Sequence, residues 1–303
     1  MSGAPSSEVD PAPESNRVLE PSAWALVNRS LVDVMAAPQL AAERVSQAVV
    51  GEACRVRRCE GEWTELCLER DGYIGWVQSS ALHRASAAEV FAYRAAVDSA
   101  VAAEIATAYH SSEQAVRVGK LAFGVSLPLV GTAYDRHALR LPDGRTWWLA
   151  RADIVPNEAI HAGGGGVTRA LALMQRSVGV PYAWGGCTPF GYDCSGLTQA
   201  FWSFLGTRIP RDADQQFQSG QVLEGTPEAG DLVFFSTGGG PEERPRHENV
   251  RHVGISLGGT ELLHASGSER AVRVDRVELE AGARGAWLKQ HLAGVRRFVP
   301  RCS

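Results

Sequence analysis

One pattern recurs in this chain with every position shifted by 72 residues. Asp71-Gly72-x3-Trp76-Val77-x4-Leu82 is matched by Asp143-Gly144-x3-Trp148-Leu149-x4-Ile154. Each copy reads as a turn, a strand carrying Trp, and a short connection to an apolar residue, which is one hairpin of a small β-barrel. Around the first copy, ACRVRRC, WTELCLE and YIGWVQ are short strands separated by turn signals at Glu60-Gly61-Glu62 and Arg70-Asp71-Gly72. Barrels of this size bury little core, so each Trp is expected to anchor its own copy. One barrel is expected over residues 20–85 and a second over 110–158.

Between them, residues 86–109 are Ala-rich and free of Gly and Pro. Val90, Phe91, Tyr93, Val97, Val101 and Ile105 recur there at three-to-four spacing, which predicts a linking helix. Gly163-Gly164-Gly165-Gly166 has maximal backbone freedom and predicts a domain joint. From 159 to 303 the order is helices first (a short amphipathic one over 167–179), then strands at DLVFF, RHVGISLG, ELLHASG, AVRVDRV and VRRFVP. The expected fold class is therefore an α+β domain preceded by two small all-β barrels joined by a helix.

Bulk properties narrow the function. A net charge of −4 with 21% charged residues gives no footprint for nucleic acid. No stretch approaches the roughly 20 apolar residues of a membrane span. Residues 1–19, rich in Ser, Pro and acid, lack the basic start and apolar core of a secretory signal and read as a disordered tail. A cytoplasmic location is the expectation. The six cysteines (54, 59, 67, 187, 194, 302) lack the density of a disulfide scaffold. The C-x4-C-x7-C spacing of the first three fits no zinc knuckle, so they are expected as small apolar residues of neighbouring strands. No metal or cofactor is expected.

Chemistry concentrates in the last domain. Cys194 opens a helical pattern (Leu197, Ala200, Phe201, Phe204, Leu205) that ends at Gly206. A thiol in the first turn feels the positive end of the helix dipole, which favours thiolate. Ser195 and Gly196 leave its approach uncrowded. His252 and His264 fall in consecutive predicted strands, joined through Gly258-Gly259. Adjacent antiparallel strands would set His252 beside the thiol, with His264 orienting it; the competing reading is two structural histidines.

The motifs PYAWGG (181–186), DCSGL (193–197), IPRDADQQ (209–216), GDLVFF (230–235), HVGISL (252–257) and His264 occur in that order. As a set they resemble the NlpC-type cysteine peptidases, papain-like hydrolases of bacterial cell-wall peptides. The paired barrels resemble the SH3-like modules of three-part members of that family, γ-D-glutamyl-L-diamino acid endopeptidases acting on free murein tripeptides or tetrapeptides.

The resemblance implies that Cys194 is the nucleophile, His252 the general base and His264 its orienting partner. Tyr182 would help the Cys194 N–H hold the oxyanion. Asp193 would bind the substrate's free amine, with Ser195 a polar contact beside it; the competing reading of Asp193 is a helix N-cap, and the two roles can coexist. Tyr73 and Glu43 of the first barrel would close that amine pocket. Asp212 has no assigned role. Cys187, with no base beside it, reads as incidental, or alternatively as a redox partner of Cys194. The insertion at 236–250, with His247 in it, reads as a loop near the cleft. Two other functions stay open: a wall-binding protein with an inactive catalytic domain, and a related thiol amidase.

Overall fold

The computed structural model describes residues 23–161, 165–236 and 249–299. The tail 1–19, Gly163 and Gly164 of the glycine run, His247 with residues 237–248, and Cys302 lie outside the described residues.

The two Asp-Gly motifs build the same local structure twice. Tyr73 N–H donates to Asp71 Oδ1 at 3.0 Å, and Arg145 N–H donates to Asp143 Oδ1 at 3.0 Å. The next residues, Gly72 and Gly144, have φ of 74° and 84°, a left-handed region that glycine enters without penalty. The strands Ile74–Gln78 and Thr146–Ala150 follow, then one 3-10 turn each, then Leu82–Ala85 and Ile154–Pro156.

The first repeat belongs to a seven-stranded sheet. Its order is Arg44–Val49, Leu31–Met35, Ile74–Gln78, Trp63–Leu68, Ala53–Glu60, Trp24–Val27, Leu82–Ala85. The second repeat sits in a five-stranded and a three-stranded sheet.

Of the repeated tryptophans, Trp76 is buried as expected, at 4% exposure, and Trp148 is not. Strand alternation sends Val77 and Leu149, both 0% exposed, into the two barrel cores. Trp76 therefore lies on the opposite face, under the Arg58 guanidinium at 4.7 Å, and Trp148 is only half-buried.

The linking helix is shorter than the 86–109 expected. It spans Ala87–Ala95, opened by a Ser86–Glu89 capping box. Beyond it, Ser99–Val101 pairs with Ile154–Pro156, and Ile105–Tyr109 pairs with Arg117–Ala122. Alanine's helix propensity, worth only tenths of a kcal/mol per residue, yields to this pairing. Ala106 and Ala108, two residues apart and both 0% exposed, show the strand period. Val90 and Tyr93 of the helix join Leu26 of the first barrel and Leu121 of the second in one core.

The third region, like the sequence pattern, is α+β. Gly165 and Gly166 do not extend the joint: they are the N-cap and first residue of the helix Gly166–Met174. A six-stranded antiparallel sheet runs Gln221–Leu223, Leu292–Arg297, Leu232–Ser236, Val250–Gly258, Glu261–Ser266, Ala271–Arg276. The helix Cys194–Phe204 buries Leu197 and Phe201 against Leu232, Phe234, Val253 and Ile255. Each such fully buried side chain contributes about 1.5–3 kcal/mol. The other face is covered by Gly282–Gln290 through Leu288, packed on Val233, Phe235 and Leu262. Its sequence GARGAWLKQ has too weak an apolar stripe to announce a helix.

Candidate active site

Cys194 is the first residue of its helix, and Asp193 is the N-cap, accepting from Gly196 N–H at 2.7 Å. Gly196 is required by packing rather than by access for a ligand. A Cβ there would stand 2.0 Å from Gly186 O, because the helix start rests directly on the PYAWGG loop.

Pairing between the strands Val250–Gly258 and Glu261–Ser266 reaches only to Ile255↔Leu263. Beyond that point the helix start meets the freed strand. Cys194 Sγ lies 3.9 Å from Arg251 O, and the N–H groups of Val253 and Ser195 point at the sulfur. The thiol is thus held against the residues on either side of His252. No hydrogen bond joins Sγ to the His252 ring in this state.

The expected dipole-stabilised thiolate is not found. Burial, and then the charge of Asp193, push the Cys194 thiol up to about 12 against the opposing pull of neighbouring N–H groups and Arg211. The side chain is 8% exposed, so desolvation of the anion outweighs the helix end.

The two histidines meet as expected. His252 Nε2 lies 2.7 Å from His264 Nδ1, with the rings edge-on at 72°. Gly254 makes this possible. A Cβ at 254 would sit 2.9 Å from His264 Cβ, so the glycine leaves the space across which the His264 ring leans towards His252. Burial lowers the pKa of both rings, so both are neutral near pH 7. Sequence reasoning ended at His264, but the contacts continue: His264 Nε2 lies 3.0 Å from Asp275 Oδ2.

Tyr182 is beside the thiol. Burial, then the Cys194 and Asp193 charges, raise its phenol, so it stays protonated and able to donate. Gly267 lies against its ring, where a Cβ would be in ordinary contact at 3.6 Å.

Asp193 and Ser195 lie in a buried hydrogen-bond network. Asp193 is 5% exposed and both of its oxygens are engaged inside the protein. Oδ1 accepts from Gly196 N–H and Arg211 Nη1 (3.1 Å), and Oδ2 accepts from Gly185 N–H (2.8 Å) and Arg211 Nη2 (2.5 Å). Ser195 Oγ, 6% exposed, accepts from Arg211 Nη1 at 2.8 Å. These groups cap and brace the helix, and Asp193 has the N-cap role that its position offered.

Asp212, left without a role by the sequence, has the free carboxylate. It is half-buried, and its Oδ2 accepts from Gln215 Nε2 at 3.4 Å. Burial raises its pKa despite the neighbouring Arg211. Tyr73 faces it from the first barrel, its phenol pushed up to about 12 by burial and then by the Asp212 charge. Glu43 lies further along the same barrel rim, where its Oε1 accepts from Trp184 Nε1 at 2.6 Å, and Arg44 Nε donates to Trp184 O at 2.8 Å. The first barrel therefore grips the loop that precedes Cys194.

Cys187 stands in that same junction. Its N–H donates to Gln47 Oε1 at 3.0 Å, and its Sγ is 3.8 Å from Ser46 Oγ. Cys54, Cys67, Cys187 and Cys194 are free thiols, Cys54 in the first barrel's core. A separate cavity of about 260 Å³, lined among others by Glu52, Arg70, Phe123 and Gln199, lies where the barrels meet the third region and does not include Cys194 or the histidines.

A cysteine at the start of a helix, packed on an antiparallel sheet whose neighbouring strands carry two joined histidines, is the layout of a papain-like cysteine peptidase. The comparisons with known proteins agree, and the third region of the chain is a domain of the NlpC/P60 family. That family's profile matches residues 179–297, and the profile of the bacterial dipeptidyl-peptidase Sh3 domain matches residues 34–82. The chain is 24% identical over 272 residues to the gamma-D-glutamyl-L-lysine dipeptidyl-peptidase of Bacillus cereus, covering 84% of this chain and 75% of that one. It is 26% identical over 240 residues to the protein of the same name in Bacillus subtilis, covering 76% and 74%. A crystal structure of an NlpC/P60 family protein from Bacillus cereus shares the fold with a TM-score of 0.77 at 21% identity, covering 91% of this chain and all of that one. Among the described residues, no helix is long and apolar enough to cross a membrane.

Proposed function

We propose that this cell-wall peptide hydrolase cleaves the γ-D-glutamyl–diamino acid bond of peptides whose N-terminal L-Ala is free. The observation that carries the reading is the His252–His264 contact of 2.7 Å beside a helix-start thiol. The names of the two Bacillus relatives support the bond type.

His252 Nδ1 takes the proton of Cys194 Sγ as the sulfur attacks the γ-carbonyl carbon of D-Glu. The carbonyl oxygen gains charge and is met by the Tyr182 hydroxyl and by the Cys194 N–H, which at the first helical position has no intrahelical acceptor. The C–N bond then breaks, and the protonated His252 gives its proton to the leaving amine. Water, deprotonated by His252, attacks the thioester, releasing L-Ala-γ-D-Glu and restoring the thiol.

A neutral thiol beside a neutral imidazole suits a step in which proton transfer accompanies attack. Asp212, with Tyr73 and Glu43 on the barrel rim, accepts the ammonium group of L-Ala, since a desolvated cation needs a carboxylate partner. A peptide still linked to sugar through that nitrogen offers no cation there.

The test is to supply L-Ala-γ-D-Glu-L-Lys and its diaminopimelate counterpart and measure released diamino acid. The expected result is turnover by the wild type and none by Cys194→Ala. Equal turnover by Cys194→Ala, or none by the wild type on either peptide, would overturn the reading.

A further inference from the structure

The hydrogen-bond chain that begins at His252 ends on a carboxylate whose surroundings fix its direction. Asp275 Oδ2 lies 3.0 Å from His264 Nε2, and the two side chains are 9% and 1% exposed. The other oxygen, Oδ1, is occupied by Arg273 through Nε at 2.9 Å and Nη2 at 2.8 Å. Arg284 Nε, from the helix on that face, stands 3.8 Å from Oδ2. Asp275 is thereby anchored on one side and open to His264 on the other.

We infer that Asp275 is a positioning residue that sets the direction of the His264–His252 hydrogen bond and so makes His252 Nδ1 the basic nitrogen. The inference rests on His252 acting as general base, and its consequence for tautomers can be read without any substrate.

A carboxylate only accepts, so the proton of His264 sits on Nε2. A neutral imidazole has one ring proton, so His264 Nδ1 must accept. The only donor at 2.7 Å is His252 Nε2, which therefore carries the His252 proton. The lone pair of His252 is left on Nδ1. With the opposite polarity, His264 Nδ1–H would donate to His252 Nε2, and Nδ1 of His252 would carry a proton and be unable to take one from the thiol. That arrangement would also set the lone pair of His264 Nε2 against the lone pairs of Oδ2. Burial keeps both rings neutral and thus keeps this one-proton logic in force.

The isosteric Asp275→Asn variant reverses the polarity by construction. Arg273 presents two donors to the Oδ1 position, so the amide oxygen turns to Arg273 and Nδ2–H₂ faces His264. The ring must then accept at Nε2 and donate from Nδ1.

The experiment is ¹⁵N NMR on full-length protein with labelled histidine, with His252→Gln and His264→Gln used to assign the two rings. The wild type is expected to show His252 and His264 neutral and both protonated at Nε2, and Asp275→Asn to show both protonated at Nδ1. Asp275→Glu, which keeps an acceptor, is expected to retain the wild-type tautomers. On the tripeptide, Asp275→Asn should lower kcat by a factor on the order of 10² to 10⁴ with little change in KM, as a wrong-tautomer substitution does in a serine triad. A wild-type spectrum with His252 protonated at Nδ1, or a folded Asp275→Asn with unchanged tautomers, overturns the inference. Absence of turnover by the wild type would count against the substrate reading alone, because the spectra decide the tautomers independently.

Discussion

Arg211 holds both oxygens of Asp193 from beneath the nucleophile helix, through Nη1 at 3.1 Å and Nη2 at 2.5 Å, and is itself 2% exposed. Its third nitrogen, Nε, donates to Ser46 Oγ of the first barrel at 3.1 Å. One guanidinium thus ties the cap of the Cys194 helix to the barrel that flanks it. The planar fork suits this: two donors lie parallel for a carboxylate and a third points away. Burying such a pair is costly, but breaking it costs more, because the remaining charge keeps its desolvation penalty without its partner.

Asp193→Ala is therefore expected to act mainly on stability. Leaving Arg211 buried and unpaired should cost about 3–5 kcal/mol and lower the thermal midpoint measured by calorimetry. Activity lost at a temperature where the variant remains folded, with the midpoint unchanged, would show that Asp193 touches substrate instead.

Gly254→Ala tests the space beneath the histidines. The added methyl would stand 2.8 Å from Leu262 Cδ1 and 2.9 Å from His264 Cβ. Overpacking of this kind costs about 1–3 kcal/mol. A shift of His264 by about 1 Å can lower kcat on the order of 10²-fold. Steady-state kinetics together with a melting curve check this, and wild-type kcat in the variant would mean the ring has room to spare.

How far the sequence reached follows the kind of interaction. Spacing carried the barrel repeat, the order of strands and the placement of Cys194 at a helix start, since each depends on local backbone chemistry. It failed where distant partners decide. The stretch after Ala95 has helical composition, yet Ser99 and Ile105 pair in sheets with partners far along the chain. Asp212 had no role in the sequence, because only the fold shows that Arg211 engages both oxygens of Asp193 and leaves the Asp212 carboxylate facing Tyr73. Trp148 was misread because a strand points adjacent residues to opposite faces, and only the barrel shows which face is core.

The protonation states predict a particular pH response. Burial, and then the neighbouring His264, hold the pKa of His252 well below that of free imidazole, so it remains a competent base as pH falls through about 6.5. The acid limb of kcat/KM should lie below that value. The Cys194 thiol, pushed up to about 12, stays protonated at neutral pH, so its alkylation by iodoacetamide without substrate should keep rising above pH 9. A plateau reached below pH 8 would reveal a preformed thiolate. The lowered histidine values also bear on stability. The unfolded chain binds protons near pH 6.5 while these two folded rings do not, so their contribution is present above that pH and is lost as pH falls towards their folded values. Thermal midpoints measured downward from pH 7 should decline accordingly.

The free amine of the substrate gives the last test. Asp212 is the half-buried carboxylate with little internal satisfaction, and Tyr73 closes on it from the first barrel. Acetylating L-Ala removes the cation and adds bulk where the two regions meet, so kcat/KM on the acetylated tripeptide should fall by a factor on the order of 10² or more, matching the loss of one buried charged hydrogen bond. Asp212→Asn should weaken the free tripeptide by a similar factor, mostly through KM. It should discriminate far less between free and acetylated peptides, and it should leave the thermal midpoint nearly unchanged because the Arg211–Asp193 ion pair stays intact. If Asp212→Asn keeps the full preference for the free amine, the ammonium group is held elsewhere, and Glu43 at the Trp184 contact becomes the position to substitute next.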